Sequence, residues 1–132
     1  MKKDNVKTCP INNTFQIIGK KFAILILRNM ILYNQTRFNQ FLESVEGINS
    51  RTLSQRLRQL ESTGIIKRKV IPETPIKIEY SLTEKGKQVK FILEQMGEFS
   101  TLHCSDAVFK DGKSRHFKEI LPVIQGDTVG KN

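Results

Sequence analysis

The segment from Asn49 to Ile66, NSRTLSQRLRQLESTGII, decides the fold of this chain because it encodes one complete amphipathic helix. Leu53, Leu57 and Leu60 lie at positions i, i+4 and i+7, which places them on one stripe of a helix. Such a stripe predicts burial against a core. The rest of the chain can be interpreted outward from this helix.

The opposite side of the helix is polar and almost free of acidic residues. Serine, amide and arginine side chains suit hydrogen bonding to base edges and phosphates. This side therefore favours a DNA-recognition helix, but an isolated basic helix is more often a plain solvated surface, so the neighbouring segments decide. Arg56 lies at one flank, and Glu61 is the only carboxylate. The residues predicted to project outward are Ser50, Arg51, Ser54, Gln55, Arg58 and Gln59.

Another short helix is predicted just before the recognition helix in the chain. Thr36 can cap a helix over residues 37–45, and Gly47 breaks it. Asn49 then caps the recognition helix, and Gly64 ends it as a left-handed residue. Two helices joined by so short a glycine-containing turn predict a helix-turn-helix. The apolar residues of the preceding helix are Phe38, Phe41, Leu42 and Val45.

A β-hairpin is predicted directly behind the recognition helix. Residues 76–82 alternate between apolar and polar side chains, and residues 66–71 are rich in β-branched ones. The proline-containing turn 72–75 separates the two strands. This hairpin is a wing, and its cations are placed to contact phosphates or the minor groove, although edge-strand lysines also serve to prevent aggregation. The cations are Lys67, Arg68, Lys69 and Lys77.

Length and charge limit the class of protein. The 132 residues suffice for one domain, or for one domain with an extension. The formal net charge of +9 and the pI near 9.8 favour a polyanionic partner, either nucleic acid or an anionic membrane surface. The apolar run Phe22 to Leu27 is too short to span a membrane, and the recognition helix lacks aromatic membrane anchors. With no secretion signal, we expect a cytoplasmic protein without a membrane partner.

The sequence predicts no enzyme, no metal site and no cofactor. Its two cysteines, Cys9 and Cys104, are too few for a disulfide framework, and His103 beside Cys104 is a weak ligand set. Paired carboxylates, a nucleophile with a base and a phosphate-binding loop do not occur at recognisable spacing.

The flanking segments complete the predicted fold. Residues 10–18 predict a short helix, and the run Lys20 to Leu32, apolar on nearly all sides, predicts the central helix. Thr83 caps a later helix whose apolar stripe continues to Phe99. We expect that helix to pack against its copy in a second subunit, since two half-sites on DNA require a dimer; the alternative is that it folds back on its own domain. Residues 105–109 and 116–121 predict short helices, and residues 125–132 an unstructured tail.

Taken together, these motifs resemble the HxlR family of bacterial and archaeal transcriptional regulators, which is related to the MarR group. The resemblance covers about Cys9 to Phe99. Phe22 and Met96 depart from it, because the family usually has Trp at both positions, but both keep an apolar group. The segments that carry the resemblance are Cys9-Pro10, residues 19–22, 26–28, 37–39, 47–49, 53–61 and 73–75, and the block Glu79-Tyr80-Ser81-Leu82-Thr83-Glu84-Lys85-Gly86.

The resemblance implies a mainly α fold with a small β-hairpin, a winged helix-turn-helix that dimerises through its terminal helices. We expect a flexible arm over residues 1–8, the winged domain over 9–99 and an extension over 100–132. In this family a cysteine at the Cys-Pro position is typical and some members use it to sense oxidants or electrophiles, so the resemblance makes Cys9 a candidate sensor. A sensing thiolate needs nearby cations or a helix N-terminus, and Cys9 precedes a predicted helix with Lys7 close by. The alternative is a small residue that packs the dimer contact.

The leading hypothesis is therefore a homodimer that binds a pseudo-palindromic site in double-stranded DNA and controls transcription. The alternative is a winged helix module that binds RNA or a protein partner. The operator sequence and any effector stay open. We expect base contacts from Ser50, Arg51, Ser54 and Gln55, phosphate contacts from Arg58 and from Lys20 or Arg37, and wing contacts from Lys67, Arg68, Lys69 and Lys77.

Overall fold

The computed structural model describes residues 5–129, and their side chains as far as residue 126. Residues 1–4 of the predicted arm lie outside it, and residues 5–8 are exposed and precede the first helix. The described chain forms the mainly α winged helix-turn-helix that the sequence predicts. Its elements are α1 (Pro10–Ile18), α2 (Ala23–Tyr33), α3 (Phe38–Ser44), α4 (Ser50–Ser62), β1 (Ile66–Ile71), β2 (Lys77–Leu82), α5 (Glu84–Lys87), α6 (Val89–His103), α7 (Ser105–Val108) and α8 (Phe117–Val129).

The hydrophobic core collects residues from the first four helices, the root of the wing and the start of α6. The three leucines of α4 are at most 2% exposed, so the predicted stripe is buried as expected. Burial of each leucine contributes about 1.5–3 kcal/mol. The other buried apolar residues of this core are Ile18, Ile26, Leu27, Met30, Phe41, Val45, Ile65, Ile66, Tyr80 and Val89.

Both predicted ends of α4 are confirmed. The Asn49 side-chain oxygen accepts the Thr52 N–H at 2.8 Å, which satisfies one of the free donors of the first turn. At the other end Gly64 has φ +79°, and the Ile65 N–H reaches back to the Leu60 carbonyl oxygen at 2.9 Å. The helix therefore stops where β1 must begin.

Two helix starts differ from the prediction. The central helix α2 begins at Ala23, because Phe22 has φ 73° and its left-handed conformation interrupts the helical path from Lys20. Arg37, not Thr36, occupies the cap position of α3. There the Gln40 side-chain oxygen accepts the N–H groups of Thr36 and Arg37, at 2.9 and 3.0 Å, so a residue inside the helix does the capping.

The wing is an antiparallel hairpin tied to both sides of the helix-turn-helix. In its register Ile66 lies opposite Leu82 and Lys69 opposite Glu79. The Tyr80 N–H donates to the Thr36 carbonyl oxygen at 2.8 Å, which joins β2 to the loop before α3. The Thr83 hydroxyl accepts the Gly86 N–H at 3.0 Å, as the predicted cap should.

The C-terminal part is more ordered than the sequence predicts. The helix expected from Thr83 to Phe99 is divided at Gln88 into α5 and α6, and α6 continues to His103. The prediction of an unstructured segment from residue 125 is wrong for residues 125–129, which belong to α8; residues 130–132 lie outside the described residues.

Contacts distant in sequence hold α8 in place. The Gln125 amide donates to the Leu32 carbonyl oxygen at 2.9 Å, at the end of α2. At the start of α8 the Phe117 ring lies against Gly97 of α6, and the Phe117 N–H donates to the Glu98 carboxylate at 3.2 Å. These partners lie far from α8 in the sequence. The neighbouring residues alone therefore could not predict that residues 125–129 are helical.

The loop before α8 is fixed by its own polar contacts. Arg115 donates to both carboxylate oxygens of Asp111 at 2.6 Å, and its guanidinium lies 4.0 Å from the centre of the Phe109 ring. These hydrogen bonds from Arg115, with a further one from the Lys113 N–H, lower the pKa of Asp111 below its ordinary value. These contacts order the loop that leads into α8.

Gly86 tests the junction between the wing and α5. A Cβ added there would overlap the Ile65 carbonyl oxygen, an impossible contact with the main chain. We expect Gly86→Ala to lower the free energy of unfolding by about 1–3 kcal/mol, measured by urea denaturation. Gly126→Ala is the matched control, because nothing lies within 4 Å of its added Cβ. Equal stability of the two variants would contradict this packing.

Candidate nucleic-acid interface

The outward side of α4 presents a row of donors to solvent. Arg51, Gln55 and Arg58 are exposed, and their spacing of four and three residues keeps them on one face. Ser50 is exposed at the first turn, whereas Ser54 is half-buried at the flank that faces the wing. This face is opposite the leucine stripe, as the sequence predicts.

Arg56 has a different role from the other arginines of α4. Its Nε donates to the Lys21 carbonyl oxygen at 2.7 Å, and its guanidinium also reaches the Gln59 side chain at 3.3 Å. The side chain thus links the recognition helix to the turn before α2. Arg56 holds the helix in position and is not part of the outward face.

Lys20 and Arg37 lie at the starts of two other helices. Lys20 is exposed in the turn before α2, where Lys21 places its ammonium group 5.1 Å from the centre of the Phe22 ring. Arg37 is half-buried at the start of α3. Neither residue belongs to the outward face of α4.

The four wing cations are divided between two surfaces. Successive strand residues point to opposite faces, so Arg68 shares the inner face of the hairpin with Ile66 and Tyr80, which are buried. Lys67 and Lys69 lie on the outer face with Lys77. The three consecutive cations therefore do not act as one patch. The alternation of side chains along a strand could have predicted this division from the sequence, but the prediction treated the three cations as one group.

The outer face of the wing is not purely cationic. Glu79 lies opposite Lys69 in the register and pairs with Lys77 at 3.8 Å on its own strand. Both members of that pair are partly exposed, so the pair adds little stability. Lys67 and Lys69 have no carboxylate within 4.0 Å among the described residues, and they are the cations most available to phosphate.

A cleft separates the recognition helix from the wing, and we call it the helix–wing cleft. Leu57 and Tyr80 are its buried members, while Arg58 and Arg68 are exposed, one on each side. The full lining is Ser54, Leu57, Arg58, Glu61, Arg68 and Tyr80. It brings together two predicted phosphate ligands that lie ten residues apart in the sequence.

Cys9 lies apart from these basic surfaces, at the cap position of α1. Its thiol is exposed and makes no capping hydrogen bond. Cys104 is also a free, exposed cysteine and follows the last residue of α6. Both thiols are therefore open to reagents in the isolated chain.

Two helices expose apolar faces, and the sequence predicted that the one on α6 packs against a second subunit. Ile11 and Phe15 of α1 are 82% and 61% exposed, and Met96 and Phe99 of α6 are 50% and 62% exposed. Ile92 continues the α6 stripe one turn earlier. Apolar groups clustered in this way on a small domain indicate an association surface.

No described helix is long and apolar enough to cross a bilayer. Among the described residues, no group of three or more histidine, cysteine, aspartate or glutamate side chains is arranged to hold a metal ion.

Comparison with known proteins gives the family. The model of the HxlR-like helix-turn-helix family matches residues 17–108. The chain belongs to this family. It is a transcriptional regulator of the helix-turn-helix type, as the motifs around Asn49 and Tyr80 predict.

Individual relatives agree with this assignment. The HTH-type transcriptional regulator sll1512 of Synechocystis sp. is 42% identical over 88 residues, which is 67% of this chain but only 64% of that longer relative. The HTH-type transcriptional regulator YodB of Bacillus subtilis is 32% identical over 108 residues, covering 80% of this HxlR-like chain and 96% of YodB.

Solved structures share the fold. The redox regulator HypR in its oxidized form has a TM-score of 0.64 and 39% identity, covering 70% of this chain and 94% of HypR. A MarR-family regulator from Porphyromonas gingivalis has a TM-score of 0.65 and 30% identity, covering 72% of this chain and 92% of its own. The winged helix and the relation to the MarR group are thus confirmed.

Proposed function

We propose that this HxlR-like protein is a homodimer that binds a pseudo-palindromic site in double-stranded DNA and thereby controls transcription in the cytoplasm. The observation that carries the proposal is the exposed row of Arg51, Gln55 and Arg58 on a helix whose other side is buried. A helix fixed in this way can enter the major groove as a rigid reader. No catalytic role is part of the proposal.

The predicted contacts divide into two kinds. The N-terminal part of α4 reads base edges, because the first turns of a recognition helix reach the groove floor. The wing and the helix starts hold phosphates, which gives affinity without sequence preference. Base readers are Ser50, Arg51, Ser54 and Gln55; phosphate ligands are Arg58, Lys20 or Arg37, and the wing residues Lys67, Arg68, Lys69 and Lys77, some of which reach the minor groove.

The exposed apolar faces of α1 and α6 support the proposed dimerisation. A two-fold axis would bring the Met96 and Phe99 stripe against its copy and cover Ile11 and Phe15 as well. Burial of these apolar groups supplies the driving force. Two recognition helices would then meet successive major grooves about 34 Å apart, which a palindromic site requires.

Phe99 offers a direct test of this interface. We expect Phe99→Asp to convert the dimer to a monomer of 15.2 kDa in sedimentation equilibrium, because the carboxylate would be buried without a partner. Val123→Asp on α8 is the matched control, since Val123 is 61% exposed and Phe99 is 62% exposed. A dimer that survives Phe99→Asp would exclude α6 as the interface.

Selection of bound sites from random duplex DNA would give the operator, its symmetry and its half-site spacing. With that site, we expect Arg51→Ala to cost about 1–3 kcal/mol and to relax discrimination at one base pair. Lys69→Ala should weaken all sequences alike and reduce the salt-dependence slope by about one unit. Fluorescence anisotropy between 0.05 and about 0.2 M salt measures both effects.

The same measurement separates the alternative function. A module that docks on RNA or on a protein would lose equal affinity for operator and random DNA in both variants. Competition between duplex DNA and RNA of matched length then identifies the preferred partner. Equal losses, together with preference for RNA, would refute sequence-specific DNA binding.

A thiol response through Cys9 is the second part of the proposal. Its support is the exposed thiol at the start of α1, next to the apolar face proposed for the dimer, and the similarity to a protein named as the redox regulator HypR. Oxidation by diamide joins two thiols in a disulfide and transfers two electrons and two protons to the reagent. A bond formed at Cys9 would change the α1 contact and, through it, the spacing of the recognition helices.

The response is tested by operator affinity before and after diamide. We expect the wild-type affinity to change and the Cys9→Ser affinity to stay constant, with thiol reductant restoring the wild type. Cys104→Ser, which removes the other exposed thiol, shows whether Cys104 supplies the second sulfur. An oxidant response that persists in Cys9→Ser would exclude Cys9 as the sensor.

A further inference from the structure

The helix–wing cleft contains a carboxylate where a DNA-binding surface is expected to be cationic. Glu61 is the only acidic residue between positions 47 and 72, and it lines the cleft together with Arg58 and Arg68. All three side chains are exposed. No ion pair joins Glu61 to either arginine within 4.0 Å, by the contacts of the described residues. The two guanidinium groups are therefore held near a negative charge without being neutralised by it.

The position of Glu61 along α4 places it away from the bases. Arg51 lies in the first turn of the helix and Glu61 in the last, about 15 Å further along the axis at 1.5 Å per residue. When the first turn lies in the groove, the last turn is at the level of the sugar-phosphate backbone. The wing contributes Arg68 to the same region, so in the proposed DNA complex the cleft would open toward a phosphate.

We propose that Arg58 and Arg68 hold one backbone phosphate in the helix–wing cleft, and that Glu61 weakens this contact on operator and random DNA alike. This rests on the proposed DNA-binding function. The Glu61 carboxylate repels the phosphate and attracts the same guanidinium groups that the phosphate needs. Leu57 and Tyr80 line the cleft, but the three charged side chains are exposed, so salt screens these interactions.

Weakening one phosphate contact changes affinity without changing discrimination. Phosphate contacts carry no sequence information, so they raise affinity for every duplex by a similar factor. A carboxylate beside a phosphate ligand therefore lowers affinity for operator and random DNA together and leaves the base readers of the first turns unchanged. Glu61 adjusts the strength of binding, and the base readers supply its specificity.

The variant Glu61→Gln tests the proposal because it removes the charge and keeps the shape. We expect Glu61→Gln to bind random duplex DNA roughly 3- to 10-fold more tightly than wild type at about 0.1 M salt, with a salt-dependence slope steeper by up to about one unit. Affinity for the selected operator should rise by a similar factor. Glu43→Gln on α3 is the control, since it makes the same change in net charge at an exposed position outside the cleft.

A double-mutant cycle locates the effect in the cleft. In an Arg68→Ala background the phosphate loses one ligand, so the gain from Glu61→Gln should fall below about twofold. Thermal unfolding of each variant verifies the fold. A loss of affinity in Glu61→Gln would overturn the proposal and make Glu61 a residue that orients Arg68. An unchanged affinity, or a gain equal to that of Glu43→Gln, would show that the cleft does not meet a phosphate.

These outcomes are distinct from failure of the proposed function. If wild type binds the selected operator better than random DNA, but Glu61→Gln gains nothing, only the role of the cleft is lost. If wild type shows no preference for duplex DNA over RNA, or no preference for any duplex sequence, the proposed function is lost and this inference with it.

Discussion

Burial of Leu53, Leu57 and Leu60 along one side of α4 is the constraint on which the rest of the structure depends. Each residue of a helix is rotated by about 100° from the one before it, so this burial also fixes the direction of every other side chain. A rotation by one residue would place Arg58 in the core, where an unpaired charge is far too costly. Burial of the leucines in the apolar core therefore also determines that the arginine row is exposed.

The wing is held by the same core through main-chain contacts. Ile66 and Tyr80 are buried and set the register of the hairpin, and the Tyr80 N–H joins it to the loop before α3. Since side chains alternate along β1, this register sends Arg68 toward α4 and Lys69 away from it. The shape of the basic surface is thus decided by apolar burial and backbone pairing. Arg51, Arg58 and Arg68 form no ion pair within 4.0 Å with any residue that the structure describes.

The C-terminal helices give the molecule two different sides. α8 packs on α6 at Gly97 and on the end of α2, while Met96 and Phe99 remain exposed on another side of α6. The family match ends at residue 108, so α8 is an element beyond the part shared with the family model. α8 packs on the Gly97 side of α6, so the apolar stripe with Met96 and Phe99 stays exposed and can associate with another subunit.

Local sequence determined the elements and much of the site. The leucine spacing, the Asn49 cap and the period of two in the wing are properties of neighbouring residues, so α4 and the hairpin could be predicted with nearly correct bounds. Local sequence also identified the outward donors of α4. Only the tertiary structure decided that Arg56 binds the Lys21 carbonyl oxygen, that Arg68 and Glu61 share a cleft, and that residues 125–129 are helical. These three features depend on residues that are distant in the sequence. Only the packing of the helices and the wing brings those residues together.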